Sequence, residues 1–193
     1  MSLHHHRQET LMTIATNTGS TGILEEPTAS LFQASRAEVI IDRPPQDVWS
    51  VLTDLSFETV KSWNPDVENV KHISGAPRQE NELVLVTKDK KIGRAPFYMR
   101  TIRMVPNQQR VLRVDDSDGS LAGFVDHSLY ELAGKTTKVV YNGYFETRHI
   151  PADQVRAFDF TIASASMMNY LNHAFELLKD LVELGVTPPD YYI

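Results

Sequence analysis

Asp126 stands out among the ionisable residues because its predicted surroundings are apolar. The segments Leu121–Leu132 and Thr137–Thr147 have the composition of strands, and Gly134-Lys135 between them is typical of a two-residue hairpin turn. This turn would place His127 on the outer face of the hairpin. The face expected to look inward carries Phe124, Asp126, Ser128 and Tyr130 opposite Val139, Tyr141, Gly143 and Phe145. A three-residue loop would instead turn one strand over relative to the other.

A carboxylate on an apolar face needs either a partner or a raised pKa. In a functional interpretation, Asp126 hydrogen-bonds a ligand or acts as a general acid or base, while Tyr130 and Tyr141 orient a phenol or a ketone. In a structural interpretation, Asp126 pairs with an arginine such as Arg100 or Arg113, or lies at a bulge that points outward. The two tyrosines are then ordinary core residues, and the sequence leaves both interpretations open.

The elements that would position these residues are a strand, two short helices, six further strands and a long helix. Ala37–Asp42 is an apolar, β-branched run, and Arg43-Pro44-Pro45 ends it so that a helix can begin at Pro45. Trp63-Asn64-Pro65 ends a second helical segment. Six strand-like runs separated by short turns then predict an antiparallel meander. They span Val67–Ser74, Leu83–Lys88, Pro96–Val105, Arg110–Asp115, Leu121–Leu132 and Thr137–Thr147.

The last element is a long helix predicted from Asp153 to Leu184, with Gly185 and Pro188-Pro189 beyond its end. Its apolar stripe must be buried, and the concave face of the sheet is the available partner. The small side chains at 163–166 would leave a gap there, which is the usual geometry of a small-molecule site, although alanine is also simply a good helix former. The side chains expected to line this cavity are those of Trp63, Phe124, Ser128, Tyr130, Tyr141, Phe145, Phe158, Ile162, Ala165 and Met168.

Composition narrows the classes of function. A net charge of −6 argues against a nucleic-acid binder and against electrostatic attachment to acidic membranes. The chain has no Cys, its histidines lack metal-ligand spacing, and it contains no phosphate loop or dinucleotide fingerprint, so we expect no metal and no cofactor. No apolar run reaches the length of a transmembrane helix, and a cytoplasmic location without stable membrane insertion is the default.

The chain divides into three parts. Residues 1–34 read as an N-terminal extension, partly a cloning remnant because of His4-His5-His6, and 35–187 form one domain. Residues 188–193 are a short C-terminal tail. The extension could cover the mouth of the cavity, form the interface of a homodimer, or be disordered.

Residues from about 36 to 185 resemble the START-related helix-grip superfamily, also called SRPBCC, and within it the polyketide cyclase/dehydrase-like branch. The resemblance rests on the strand Glu38–Asp42, the following segment Arg43–Asp54, the turn Trp63–Val67, the strand Thr136–Tyr141 and the long terminal helix. It implies an α+β helix-grip fold, in which a curved antiparallel sheet of about seven strands wraps around the C-terminal helix.

The resemblance also implies a cavity for a hydrophobic ligand, but it carries no shared catalytic motif. Three functions stay open, in this order of preference. The first is a binder of a small hydrophobic or aromatic molecule, lipid- or polyketide-like. The second is a cyclase/dehydratase-type enzyme with Asp126 as general acid or base. The third is a protein-interaction module without a ligand, which a large exposed apolar patch would favour.

Overall fold

A computed structural model describes residues 31–89, 96–119, 122–146 and 160–185, with the side chains of residues 31, 32, 34 and 160–167 excepted. The strands are β1 (Leu31–Ile41), β2 (Val67–Ser74), β3 (Leu83–Lys88), β4 (Phe97–Val105), β5 (Gln109–Asp116), β6 (Ala122–Leu132) and β7 (Thr136–Glu146). The helices are α1 (Pro45–Leu52), α2 (Phe57–Trp63) and α3 (Phe160–Leu184). This order confirms the predicted sequence of elements, although β1 begins several residues before the predicted strand.

The strands form one antiparallel sheet in the order β1-β7-β6-β5-β4-β3-β2. Strands β2 to β7 follow one another as a meander, and β1 closes the order by pairing with β7. The sheet is curved and α3 packs against it, so the predicted α+β helix-grip fold is confirmed.

Local sequence signals explain where the helices begin and end. Pro45 occupies the first turn of α1, where a missing N–H costs nothing. The hydroxyl of Ser56 caps α2 by accepting a hydrogen bond from the backbone N–H of Thr59. Helix α3 ends at Leu184, as predicted, because Gly185 adopts a φ of 71° that favours glycine. The predicted start at Asp153 lies outside the described residues.

Two groups of buried apolar side chains hold the layers together. The larger group joins α3 to β1, β7 and α1 through Leu171, Phe175 and Leu178 of the predicted helical stripe. The smaller group joins α2 to β2, β3 and β4 through residues such as Val60 and Val84. In the described part of the chain, no helix is both long and apolar enough to cross a membrane.

The loop between β6 and β7 differs from the prediction. Leu132 pairs with Thr136, so the loop consists of the three residues from Ala133 to Lys135. Gly134 and Lys135 both have positive φ, of 80° and 68°. The predicted two-residue turn is therefore wrong. The pairing of β6 with β7 is shifted by one residue from the predicted register, so that the side chains of β6 lie on the opposite face from the one predicted. His127 consequently pairs with Tyr141, and Asp126 pairs with Asn142.

Candidate functional site

A cavity of about 140 Å³ lies between the sheet and the described part of α3. Its walls are mostly apolar and come from both layers. Apolar side chains of the wall include Val86, Phe97, Met99, Leu112, Val114 and Phe175. The alternation that the sequence left open for β4 and β5 is thereby settled, because Phe97, Met99, Leu112 and Val114 all border the cavity.

Three polar residues cross the inner face of the sheet in a row. Arg110 on β5 pairs with His127 on β6, which pairs with Tyr141 on β7, and all three border the cavity. Side chains directly opposite each other on neighbouring strands are in contact range. The rings of His127 and Tyr141 meet edge to face, with centroids 5.3 Å apart.

Arg110 is almost fully buried, with 1% of its surface exposed. Its Nη1 donates to the carbonyl oxygen of Leu52 at 2.7 Å, and its Nη2 donates to Oγ1 of Thr101 at 3.1 Å. Burial lowers the pKa of Arg110 to about 10, with the charge of Glu82 opposing the shift. The guanidinium is therefore still a cation at neutral pH.

His127 is buried as the neutral imidazole. Burial, together with the positive charge of Arg110, lowers the pKa of His127 to about 3. Among the described residues, the aromatic ring in contact with the imidazole of His127 is that of Tyr141, and Nδ1 of His127 has no hydrogen-bond partner. A neutral imidazole at this position can donate or accept one hydrogen bond through Nδ1, depending on its tautomer.

Among the described residues, three buried side-chain atoms lack a hydrogen-bond partner, and all three belong to residues that border this cavity. They are Nε1 of Trp63, Nε of Arg110 and Nδ1 of His127. Buried polar groups in native proteins are nearly always paired, so the occurrence of three unpaired atoms on residues around one cavity is a property of the site.

A second polar group connects the helix to the sheet. Nζ of Lys88 donates to the hydroxyl of Tyr170 and lies 3.9 Å from the centre of its ring. The Tyr170 hydroxyl in turn donates to Oδ1 of Asn64. These contacts tie α3 to β3 and to the end of α2, and all three residues border the cavity.

The expectation that Asp126, Ser128 and Tyr130 face the cavity is wrong, because the three-residue loop places them on the outer face of β6. The carboxylate of Asp126 accepts hydrogen bonds from Nε2 of Gln109 at 3.0 Å, from Oγ of Ser128 at 3.2 Å and from Nδ2 of Asn142 at 3.4 Å. The side chain of Tyr130 is 54% exposed. Asp126 thus has polar partners instead of an apolar enclosure.

The arginines that the sequence offered as partners of Asp126 have other roles. Arg113 forms a two-pronged ion pair with Glu146 and also contacts Asp115. Its guanidinium lies 4.8 Å from the ring centre of Phe124, another residue that borders the cavity.

The remaining predicted cavity residues are distributed as follows. Trp63, Tyr141 and Phe145 border the cavity. Met168 is half-buried outside the lining, where its sulfur accepts a hydrogen bond from the backbone N–H of Arg36 at 3.3 Å. Phe158 and the side chains of Ile162 and Ala165 lie outside the described residues.

Arg110 and His127 were not among the predicted site residues. For Arg110 a signal was present, because it alternates with Leu112 and Val114 and so shares their face. His127 was expected on the outer face of β6 because the loop after β6 was assumed to have two residues. In the part of the chain that the structure describes, no three His, Asp or Glu side chains are placed to hold a metal ion.

The fold is similar to several solved structures. Truncated norcoclaurine synthase from Thalictrum flavum superimposes with a TM-score of 0.61 at 10% identity, covering 86% of this chain and 98% of that one. A START superfamily protein from Mycobacterium smegmatis gives 0.58 at 14% identity, covering 81% and 99%. A putative protein in the dynemicin biosynthetic locus gives 0.55 at 17% identity, covering 79% of this chain and 48% of that one, so this chain spans about half its length.

These identities support the fold alone, and no curated protein sequence matches the chain. The sequence profile of one family covers residues 33–183, which is most of the chain and includes every described residue that borders the cavity. The chain belongs to the polyketide cyclase / dehydrase and lipid transport family.

Proposed function

We propose that the protein binds a small hydrophobic or aromatic molecule in the cavity between the sheet and α3. The observation that carries this proposal is the cavity itself, which lies between the sheet and α3 beside two groups of buried apolar side chains. Close-packed interiors rarely retain voids of this size, because an empty cavity loses both transfer and dispersion energy. Family membership supports the same function.

The volume of the cavity limits how much of a ligand it can hold. An engineered apolar cavity of about 150 Å³ in another protein binds benzene, so about 140 Å³ holds roughly one aromatic ring or an alkyl chain of similar bulk. A polyketide- or lipid-like ligand would place one such portion between the layers.

A cyclase or dehydratase reaction that uses Asp126 as general acid or base is not proposed. Its carboxylate is hydrogen-bonded on the outer face of β6 and does not border the cavity. A general acid or base must come within hydrogen-bond distance of the group that it serves.

The test is native mass spectrometry of the protein from its own source, with organic extraction of any bound molecule. Purified protein is then screened for thermal stabilisation by single-ring aromatic compounds and short lipids. We expect a retained apolar molecule or a ligand-dependent rise in Tm.

A pair of variants on one strand controls this experiment. Val114→Phe adds a ring to the cavity wall and should abolish the rise in Tm. Val111→Phe adds the same ring on the other face of β5, away from the cavity, and should preserve the rise in Tm. Absence of any bound molecule and of any rise in Tm would refute the proposal and favour an interaction module without a ligand.

A further inference from the structure

The cavity has an unbalanced charge. Among the described residues that border it, Lys88 and Arg110 are cations and Asp116 is an anion, while His127 is buried as the neutral form. One carboxylate against two cations leaves a formal charge of +1. An interior site whose lining carries an excess of charge of one sign attracts a ligand group of the other sign.

Among the residues that the structure describes, none forms an ion pair with Arg110, which carries this excess charge. In the described part of the chain, its guanidinium bonds only to two uncharged oxygens, those of Leu52 and Thr101. Glu82 acts on it only at longer range, and Oε2 of Glu82 accepts a hydrogen bond from the backbone N–H of Arg78. Buried charges in proteins are ordinarily paired, so the site lacks a negative group at Arg110.

The unpartnered atoms indicate what that group must do. Nε of Arg110 and Nε1 of Trp63 are donors only, so each needs an acceptor, and Nδ1 of His127 can donate to the same kind of atom. A hydrocarbon would leave these buried donors unpaired, which costs free energy. An oxygen with a negative charge would both balance the charge of Arg110 and accept a hydrogen bond from its Nε–H.

We propose that the ligand presents an anionic oxygen, of a carboxylate or a phenolate, to the Nε–H of Arg110 and places its apolar part against the walls formed by β4, β5 and α3. This inference rests on the proposed function and adds the chemical class of the ligand. Arg110 is the residue that selects this class, with His127 beside it on β6 and Trp63 at the end of α2.

The experiment compares probes of similar size and different charge on the full chain. Benzoate, 4-nitrophenolate and toluene are titrated separately by calorimetry and by thermal shift. We expect benzoate or 4-nitrophenolate to bind at least about tenfold more tightly than toluene, because a buried charge-assisted hydrogen bond contributes that much. Whichever of benzoate and 4-nitrophenolate binds more tightly shows whether the ligand's anionic oxygen belongs to a carboxylate or to a phenolate.

A direct readout comes from the Nε–H resonance of Arg110 in a ¹H–¹⁵N spectrum, assigned by its loss in Arg110→Met. The anion should shift this resonance downfield, and toluene should not. Arg110→Met should bind the anion at least about tenfold more weakly while keeping its affinity for toluene. Arg103→Met removes a charge from an exposed position of β4 and should retain the preference for the anion.

The outcomes separate the two proposals. Equal binding of toluene and the anions by the wild-type chain, or an unmoved Arg110 resonance in the anion complex, overturns the inference and leaves the proposed function standing. Failure of all three probes to bind counts against both. The wild-type comparison is decisive by itself if Arg110→Met does not fold.

Discussion

Replacing His127 should change how the stability of the protein depends on pH. The folded protein holds His127 neutral, since burial and the charge of Arg110 lower its pKa to about 3, whereas an unfolded chain gives histidine its ordinary pKa of about 6.5. Below about pH 6.5 the unfolded state therefore binds one proton that the folded state does not. Stability is fully present above this pH and is lost as the pH falls toward the folded pKa.

The size of the effect follows from the two pKa values. Each pH unit over which the unfolded histidine is protonated and the folded one is not costs about 1.4 kcal/mol. Between about pH 7.5 and about pH 5, the single residue His127 should lower the free energy of unfolding by about 2 kcal/mol. Over the same range His127→Gln has no such proton to bind and loses this component.

The assay is urea unfolding of the wild type and of His127→Gln at both pH values, followed by circular dichroism. The quantity of interest is the difference between the two pH effects, because carboxylates and other histidines contribute equally to both proteins. His72→Gln, at an exposed position of β2, serves as the control and should follow the wild type. A pH effect of equal size in the wild type and in His127→Gln would refute the assignment of a buried neutral imidazole.

Three further changes test contacts in the fold, all measured as free energies of unfolding in urea. Gly143→Ala would place Cβ 2.4 Å from Oγ of Ser35 and should lower the free energy of unfolding by about 1–3 kcal/mol. Adding Ser35→Ala should recover part of this loss, and an unchanged stability in Gly143→Ala would contradict this packing. Arg113→Met should lower the free energy of unfolding by about 3 kcal/mol because it removes the arginine that forms a two-pronged ion pair with buried Glu146. The double variant Arg113→Met/Glu146→Met should lose less stability than Arg113→Met alone, and equal losses would show that the two residues are not coupled. Tyr170→Phe should cost about 1 kcal/mol through loss of the hydroxyl that links α3 to the sheet, and an unchanged midpoint would exclude that role.

The fold was predictable because its signals are local and repeated. Pro45, Ser56 and Gly185 mark the ends of helices through their own local chemistry, and turn residues in the sequence separate the six strands of the meander. The apolar stripe of Leu171, Phe175 and Leu178 required a partner surface, which only the sheet could supply. None of these inferences depended on strand register.

The site was only partly predictable, because its chemistry depends on register. Trp63 and Tyr141 were placed at the cavity, whereas Asp126 and His127 exchanged faces when one residue was added to the assumed loop. The preference of Gly134-Lys135 for a two-residue turn is a statistical one, and Lys135 adopts a positive φ that its residue type does not favour. A tertiary arrangement that buries Leu129 and Val139 together overrides it.

The loop from Ala133 to Lys135 also bears on how this protein is compared with others. Its length decides whether Asp126 or His127 lies on the inner face of β6, although the loop is a hairpin turn and not part of the cavity wall. A relative with one residue fewer here would offer a different set of side chains to its ligand from nearly the same aligned sequence. Ligand-contacting positions should therefore be transferred between relatives only after the length of this turn is known in each.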